Sequence, residues 1–184
     1  MNFIFFLSCI YFFLPAYFAN ITPPLIKKAG LFSFLDKPID FGKNFLSRPL
    51  FGSHKTWRGA IFGTIIGLLI VLFQFWLYRF SSIRKISFLN YQNINLLNFG
   101  LLISFGTIFG DLFFAFIKRR LNLRPGTRFL PFDQTNYVIG SFVFLQPFLK
   151  FDLSVWIIIF ISSFFLHIIV NRLGFSLKLH QAKW

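Results

Sequence analysis

Long apolar runs alternate with short polar segments along this chain. The runs are continuously apolar, so they lack the polar and apolar alternation with a period of two that marks a transmembrane β-barrel. A helix that spans a bilayer needs roughly 20 mostly apolar residues. The pattern therefore predicts five transmembrane helices, at about residues 2–21, 59–80, 94–117, 136–149 and 153–171.

The fourth apolar run is the least regular of the five. It is short, and it contains Gln146 and Pro147. Proline lacks the backbone N–H and disturbs the preceding helical turn. This segment is therefore predicted to form one of three structures: a tilted helix, a broken helix or a partly re-entrant element.

The composition agrees with a membrane protein. Hydrophobic residues make up 56% and aromatic residues 22% of the 184 residues, which is more than a water-soluble domain of this size can bury. We therefore predict an all-α integral membrane protein, in which residues 1–184 form a single polytopic membrane domain. It has about five transmembrane helices and two basic cytoplasmic loops.

Positive charge is distributed unevenly between the two ends of the predicted helices. One side carries two loops and a tail whose basic residues are Lys27, Lys28, Lys37, Lys43, Arg48, Lys55, Arg58, Lys118, Arg119, Arg120, Arg124, Arg128, Arg172, Lys178 and Lys183. The other side receives only Arg79, Arg84, Lys85 and Lys150. The positive-inside rule then predicts a multi-pass protein of the cell membrane, with both basic loops in the cytoplasm and the N-terminus outside.

The net charge of +14 has an ordinary explanation, because basic residues next to a membrane attract anionic headgroups. These residues lie against the predicted spans and do not form a separate basic domain, so nucleic acid is not expected as a partner.

Acidic residues are scarce, since the chain has five aspartates and no glutamate. Asp152 is explained by capping of the last helix, and Asp36 by loop chemistry. Asp111 lies inside the third predicted span, seven residues before Lys118 and thus about 10 Å from it along the helix axis. A carboxylate inside the membrane indicates a functional site by default; the alternative is a structural ion pair or a protonated, hydrogen-bonded aspartate.

A second carboxylate, Asp133, follows the loop that begins at Lys118 and precedes the next span. Oxygen ligands suit a hard cation such as Mg²⁺, and flanking Arg and Lys residues suit phosphate oxygens. The two aspartates with their basic neighbours therefore indicate a site for a magnesium-bound polyphosphate.

Several motifs resemble a known family. "GDLFFAFIKRR", then "RPG" and "LPFDQ", resemble the signature of the membrane cytidylyltransferases, to which phosphatidate cytidylyltransferase belongs. "LPAYFANITPPL" and "KPIDFGKNFLSRPLFGSHKTWRG" narrow the resemblance to the CDP-archaeol synthase family. It covers residues 14 to 140 approximately, and the order and spacing of the motifs make it specific.

The resemblance implies transfer of CMP from CTP to a lipid phosphate in the bilayer, with Mg²⁺ as cofactor and pyrophosphate as the second product. The implied lipid is digeranylgeranylglyceryl phosphate. It implies catalytic roles for Asp111, Asp133 and Lys118, the two aspartates being the metal ligands. The expected binding residues for CTP or the lipid phosphate are Asp40, Lys43, Lys55, Thr56, Arg58, Arg119 and Asn136.

The chain departs from the family pattern at two positions. Asn136 stands where a second aspartate is usual, and Ala115 stands where serine is common. Asparagine still offers a carbonyl oxygen but brings no charge, so metal number or affinity is expected to differ.

Alternative functions remain open at this stage. They are a phosphatidate cytidylyltransferase acting on diacyl lipid, a CTP-dependent polyprenol kinase, and a non-catalytic membrane protein that binds lipid phosphate or another anion. Asp111 argues against the last of these, because an anion pathway gains nothing from a buried negative charge. Homo-oligomerisation also stays open.

Overall fold

The computed structural model describes residues 3–124 and 127–176. In this part of the chain, six α-helices follow one another: α1 Phe3–Lys28, α2 Trp57–Leu77, α3 Ser81–Ile86, α4 Leu96–Arg120, α5 Phe132–Leu149 and α6 Leu153–Ser176. A 3₁₀ turn at Ser33–Leu35 and two short strands, β1 Asn44–Phe45 and β2 Arg48–Pro49, lie between α1 and α2. The Pro-Gly turn at residues 125–126 and the tail lysines Lys178 and Lys183 lie outside the described residues.

Four of these helices, α1, α2, α4 and α6, are long and apolar enough to cross a membrane. Helix α5 is shorter, with 18 residues, and contains Pro147 near its end. The prediction of an all-α membrane protein with about five long helices is confirmed. The bounds differ most at three ends: α1 continues past its prolines to Lys28, α5 begins at Phe132, four residues before the predicted fourth span, and α6 continues to Ser176, five residues past the predicted fifth span.

The surface of the bundle has the apolar character that a bilayer requires. Large hydrophobic side chains on the outer faces of α2 and α6 are exposed, among them Leu69, Phe73, Ile161 and Phe165. In water, such continuous apolar faces would favour association. Inside the bundle, Phe12 and Phe13 of α1 are fully buried; the Phe13 ring stacks on Tyr137 at 6.0 Å between ring centroids, which ties α1 to α5.

Helices α4 and α5 touch backbone to backbone through three glycines. A Cβ atom on Gly140 would lie 2.1 Å from the carbonyl oxygen of Gly106 and 2.6 Å from the nitrogen of Gly110. A Cβ on Gly110 would lie 2.2 Å from the carbonyl oxygen of Asn136. Small residues permit such close approach of membrane helices. The contact places the N-terminal part of α5 directly beside residue 110 of α4.

The segment between α1 and α2 is mostly irregular, and we call residues 29–56 the basic loop. Positive φ angles occur at Phe32, Phe41, Leu46 and Ser47 as well as at three of its glycines. The C-terminal end of the basic loop lies beside its middle, because the backbone N–H of Ile39 donates a hydrogen bond to Lys55 O over 2.8 Å. This fold carries Lys55 to the start of α2, next to α4.

Candidate active site

A cavity of about 340 Å³ lies where the basic loop meets the neighbouring ends of the helices. Its lining comes from α1, the loop, α2, α4, α5 and α6: Asn20, Pro23, Pro24, Lys27, Ile39, His54, Lys55, Thr56, Gly59, Ala60, Ile108, Asp111, Leu112, Asp133, Asn136 and His167. Five of the residues predicted from the sequence therefore share one cavity: Lys55, Thr56, Asp111, Asp133 and Asn136.

Asp111 receives side chains from two directions. The ammonium nitrogen of Lys55 lies 2.6 Å from its Oδ1 and 2.5 Å from its Oδ2. From α5, Asn136 Nδ2 donates to Oδ1 over 3.3 Å. The packing of Gly110 against the Asn136 backbone sets this second contact. Within the described residues, two side chains thus hold Asp111, one from the basic loop and one from α5.

Asp133 lies in the first turn of α5, where a negative charge interacts favourably with the helix dipole. Lys118 Nζ contacts its two oxygens at 2.8 and 2.9 Å and also donates to Thr127 O over 2.7 Å. The backbone N–H of Phe129 donates to Asp133 Oδ2 over 2.9 Å. Lys118, seven residues after Asp111 on α4, therefore pairs with Asp133.

Thr56 begins α2. Its side-chain oxygen accepts a hydrogen bond from Gly59 N over 3.3 Å, which is the usual contact of a helix N-cap. Because the cap fixes where the helix starts, it also fixes the direction of the neighbouring Lys55.

Asp40, predicted as a substrate-binding residue, lies in the basic loop and outside this cavity. Its oxygens accept backbone N–H groups from Gly42 at 3.0 Å, Phe51 at 2.9 Å and Gly52 at 3.1 Å. Burial opposes ionisation of this carboxyl, but the hydrogen bonds outweigh it and hold the pKa of Asp40 below 3.8. Asp40 therefore stabilises the fold of the basic loop.

Two further predicted binding residues also lie away from the cavity. Arg58 is 2% exposed; its guanidinium pairs with Asp36 at 2.9 Å and donates to Leu31 O over 3.0 Å. This pair fastens the start of the loop to α2. Lys43 is exposed, and its backbone joins the turn that follows Asp40.

Arg119 points to a different place. It is 6% exposed and lines a second cavity of about 390 Å³ between the basic loop and the end of α4. Its NH1 group donates to Leu123 O over 2.5 Å. Of the predicted binding residues, Asp40 and Arg119 share this second cavity.

His54 is not among the residues predicted from the sequence, yet it lines the first cavity beside Lys55. The residue keeps part of its surface exposed, but partial burial of the ring and the charge of Lys55 lower its pKa from 6.5 to about 4. His54 is therefore neutral at pH 7. Its position directly before Lys55 in the sequence was the available signal.

Oxygen ligands for a metal ion are few but of a suitable kind. Within the described residues no group of three His, Cys, Asp or Glu side chains could hold an ion. Asp111 and Asp133 share a cavity, and Mg²⁺ is commonly bound by one or two carboxylates, with water and substrate phosphates completing its shell. The donor set fits Mg²⁺ bound together with a phosphate substrate, and it does not fit a closed cage of protein ligands.

Comparison with known proteins is informative over the full length. Residues 1–184 match the model of the family described as CarS-like, CDP-archaeol synthase. The chain belongs to this family. A CDP-archaeol synthase of Pyrococcus furiosus is 32% identical over 179 residues, covering 97% of this chain and 98% of the relative. One from Saccharolobus islandicus is 35% identical over 185 residues, covering 97% and 96%.

A solved structure supports the same assignment. It is described as an intramembrane enzyme for archaeal membrane lipids biosynthesis, and it superposes with a TM-score of 0.68 at 25% identity, covering 88% of this chain and 91% of its own. The resemblance seen in the motifs is confirmed. The chain is a multi-pass membrane enzyme of the nucleotidyltransferase class, a cytidylyltransferase.

Proposed function

We propose that this enzyme transfers the CMP unit of CTP to digeranylgeranylglyceryl phosphate, releasing pyrophosphate and leaving a CDP-lipid in the membrane. The observation that carries the proposal is the shared cavity of Asp111 and Asp133, each paired with a lysine, at the end of the membrane helices. The family assignment supplies the class of nucleotide and lipid.

The reaction requires the site to stabilise charge and to position the two substrates. An oxygen of the lipid phosphate attacks the α-phosphorus of CTP, and the bond from that phosphorus to the oxygen bridging to the β-phosphorus breaks. The bonding electrons leave with pyrophosphate. Because the lipid phosphate is already anionic at neutral pH, no strong base is required to activate it. Positioning and charge stabilisation are then the main contributions.

The residues of the cavity meet these demands in different ways. Asp111 and Asp133 would hold Mg²⁺, which would neutralise charge on the CTP phosphates and on the departing pyrophosphate. Lys55 and Lys118 lie against these carboxylates and are close enough to bind phosphate oxygens when the pairs loosen. Asn136 holds Asp111 in place from α5.

The location suits two substrates that arrive from different phases. Asp111 lies within α4, while Lys118 and Asp133 lie at the adjoining helix ends. Lys55 and Lys118 belong to the side of the membrane that is predicted from the sequence to carry most of the basic residues. We therefore place the cavity at the cytoplasmic boundary, where CTP arrives from water and the isoprenoid tails of the lipid stay in the bilayer.

The test is pyrophosphate release by the detergent-purified enzyme. CTP, Mg²⁺ and digeranylgeranylglyceryl phosphate are supplied together; diacyl phosphatidate replaces the lipid in one arm and ATP replaces CTP in another. We expect release that depends on the lipid, on CTP and on Mg²⁺, and that stops with EDTA. Preference for the diacyl lipid would reject the isoprenoid substrate. No release with either lipid from folded protein would reject the proposed reaction.

A further inference from the structure

A third cavity, of about 690 Å³, lies between the first turn of α5 and the last turns of α6. Two exposed arginines from different segments line it: Arg128 comes from the loop before α5, and Arg172 comes from α6. Within the described residues, no acidic side chain lines this cavity. The cavity is therefore positively charged, and the positive-inside rule places it on the cytoplasmic side.

Arg172 is suited to an anionic headgroup by its position and its lack of a partner. It directly follows the fifth apolar run, so it lies where the bilayer meets water. Among the residues that the structure describes, it has no carboxylate partner. Basic pockets between membrane helices on the cytoplasmic side bind the headgroups of anionic lipids.

Gln134 adds a neutral polar group to the third cavity. The residue is 5% exposed, and its Oε1 atom is buried without a hydrogen-bond partner in the described part of the chain. Leaving a buried acceptor without a donor is costly. A hydroxyl group of a ligand in this cavity would supply the donor.

An apolar groove of about 250 Å³ lies farther along the same two helices. All of its lining is hydrophobic, including Val138 of α5 and Ile157 and Ile161 of α6. The two isoleucines are 49% and 52% exposed, so the groove opens towards the bilayer. Bulky side chains line the groove here, in contrast to the glycine contact between α4 and α5.

The third cavity and the groove lie on the same faces of α5 and α6. On α5, Gln134 of the cavity comes four residues before Val138 of the groove. On α6, Ile161 of the groove comes seven residues before Ile168 of the cavity, and Arg172 follows four residues later. Spacings of four and seven place residues on one helix face. Because a short connection makes the two helices antiparallel neighbours, the cavity and the groove form one continuous feature, which we call the α5–α6 seam.

The seam is long enough for the chain of a lipid. Fifteen residues separate Ile157 from Arg172, which corresponds to about 22 Å along the helix axis. The apolar part of one leaflet is about 15 Å thick. A chain that begins at the level of Arg172 can therefore contact the seam through the whole leaflet.

We propose that the α5–α6 seam binds one intact membrane lipid with an anionic phosphodiester and a headgroup hydroxyl. The phosphate binds Arg172 and Arg128, the hydroxyl donates to Gln134 Oε1, and a chain lies in the apolar groove. Guanidinium groups suit phosphate oxygens, because they form paired hydrogen bonds with them. The bound lipid fills the space between α5 and α6 and stabilises their contact.

This lipid is distinct from the lipid that reacts. Asp133 and Asn136 line the first cavity, and they lie about 100° and 160° around α5 from Gln134. The third cavity and the groove share no lining residue with the first cavity. The inference therefore goes beyond the proposed reaction and does not depend on it.

The test is native mass spectrometry of the whole chain, purified in detergent, freed of lipid and titrated with dioleoyl phosphatidylglycerol in EDTA without CTP. Arg172→Gln should weaken binding of the first lipid molecule about tenfold, because a charged hydrogen bond to the phosphate is lost. Arg84→Gln, which removes an exposed charge from α3, should stay within twofold of the unmodified chain. An equal loss in both would indicate only a response to net charge and would overturn the site.

A second pair of variants tests the groove. Ile161→Trp fills it, whereas Ile169→Trp makes the same change at a residue that is 53% exposed and lines neither the groove nor the third cavity. We expect Ile161→Trp to weaken phosphatidylglycerol binding about tenfold, because the lipid loses contact with two or more methylene groups. Similar affinities of the two variants would overturn the seam. Unfolding temperatures identify a variant that fails to fold, and the other pair then decides.

Headgroup chemistry is tested with two lipids that carry the same chains. Phosphatidylmethanol keeps the negative charge but lacks a headgroup hydroxyl, and phosphatidylcholine has no net charge. We expect phosphatidylmethanol to bind severalfold more weakly than phosphatidylglycerol, with no such difference in Gln134→Leu, and phosphatidylcholine at least tenfold more weakly. Equal binding of phosphatidylcholine would overturn the anionic headgroup. A difference that persists in Gln134→Leu would overturn the hydrogen bond to Gln134.

Competition separates a resident lipid from other occupants of the seam. Digeranylgeranylglyceryl phosphate should leave phosphatidylglycerol bound; its displacement would assign the seam to the reacting lipid. Displacement by millimolar inorganic phosphate would indicate a site for free anions, and a dimer that Ile161→Trp dissociates would indicate a second copy of the chain. Each of these results would overturn the proposal. Phosphatidylglycerol binding at the seam without pyrophosphate release from CTP would support the seam and reject the reaction.

Discussion

Helices α4 and α5 meet through backbone atoms at Gly106, Gly110 and Gly140, whereas the basic loop is fastened to α4 by long charged side chains. Arg120 donates to the carbonyls of Phe45, Arg48 and Pro49, and Lys55 reaches Asp111. The first contact has a fixed spacing, because neither backbone can yield. The second can lengthen or re-form, because each side chain has several rotatable bonds.

Asp111 lies between these two kinds of contact. Asn136 approaches it from the rigid α5 side, and Lys55 approaches it from the loop side. A site that must admit a nucleotide and release pyrophosphate needs one wall that keeps the carboxylate in place and one that can open. We therefore expect α5 to position Asp111 and the basic loop to adjust around the substrate.

The largest effect is expected from Gly140→Ala. Its Cβ would meet backbone atoms of Gly106 and Gly110, so α4 and α5 must separate, at a cost of about 3 kcal/mol or more. Gly100→Ala is the matched control, because its Cβ would first meet the Leu68 Cδ1 atom at 2.5 Å, which a rotamer change can move. Unfolding temperature and recovery of monodisperse protein in detergent measure the effect. Equal stability of the two variants would show that the α4–α5 contact is not rigid.

Asp111→Asn should retain the fold and lose turnover by about 10³-fold, since it removes the carboxylate that we propose to balance the charge of the reaction. Asp152→Asn should leave turnover nearly normal, because Asp152 lies outside the cavity and precedes α6. Pyrophosphate release and unfolding temperature are measured on both variants. Similar turnover in the two would remove Asp111 from the metal site.

The helices could be predicted from the sequence because a continuous apolar run of sufficient length has few alternatives in a bilayer. Their ends were harder to predict. Pro23 and Pro24 suggest an early stop for α1, yet the helix continues to Lys28. Polar residues such as Asp133 suggest a loop, yet they form the first turn of α5. At α1 the packing of Pro23 against Gly59 of α2 overrides the local signal, whereas at α5 the first-turn aspartate itself favours the helix.

Asp111 could be selected from the sequence because a charge inside a membrane helix is costly and needs an explanation; its role as a metal ligand stays a prediction. The basic loop could not be predicted in the same way, since turns with positive φ at Phe41, Leu46 and Ser47 have no periodicity to read. Its many cations looked alike in the sequence. Only the folded structure shows that their partners differ: Lys55 at the end of the loop pairs with Asp111, whereas Arg58 at the start of α2 pairs with Asp36.

Arg120→Gln should loosen the wall that we expect to move. The variant loses the guanidinium contacts to the carbonyls of the hairpin that β1 and β2 form. It also loses the stacking of the guanidinium over Phe45 and Phe116, whose ring centroids lie 5.4 and 5.0 Å from Arg120 Cζ. We expect the KM for CTP to rise severalfold with kcat within about twofold, and a stability loss of about 1–2 kcal/mol. Limited proteolysis should cleave the hairpin faster than in Arg84→Gln. A fall in kcat at constant KM would contradict the adjustable role.

The smallest effect is expected from Asp40, which stabilises the loop itself. Its folded pKa lies below 3.8, so the ionised carboxylate stabilises the fold above that pH, and the contribution disappears as the pH falls through the folded pKa. Asp40→Asn cannot titrate. As the pH falls from 6 through the folded pKa, the unmodified chain should therefore lose more stability than the variant, which a larger fall in its unfolding temperature would show. The other acids titrate in both proteins, so the difference between the two pH profiles isolates Asp40. Parallel profiles would mean that its three backbone hydrogen bonds give the basic loop no net stability.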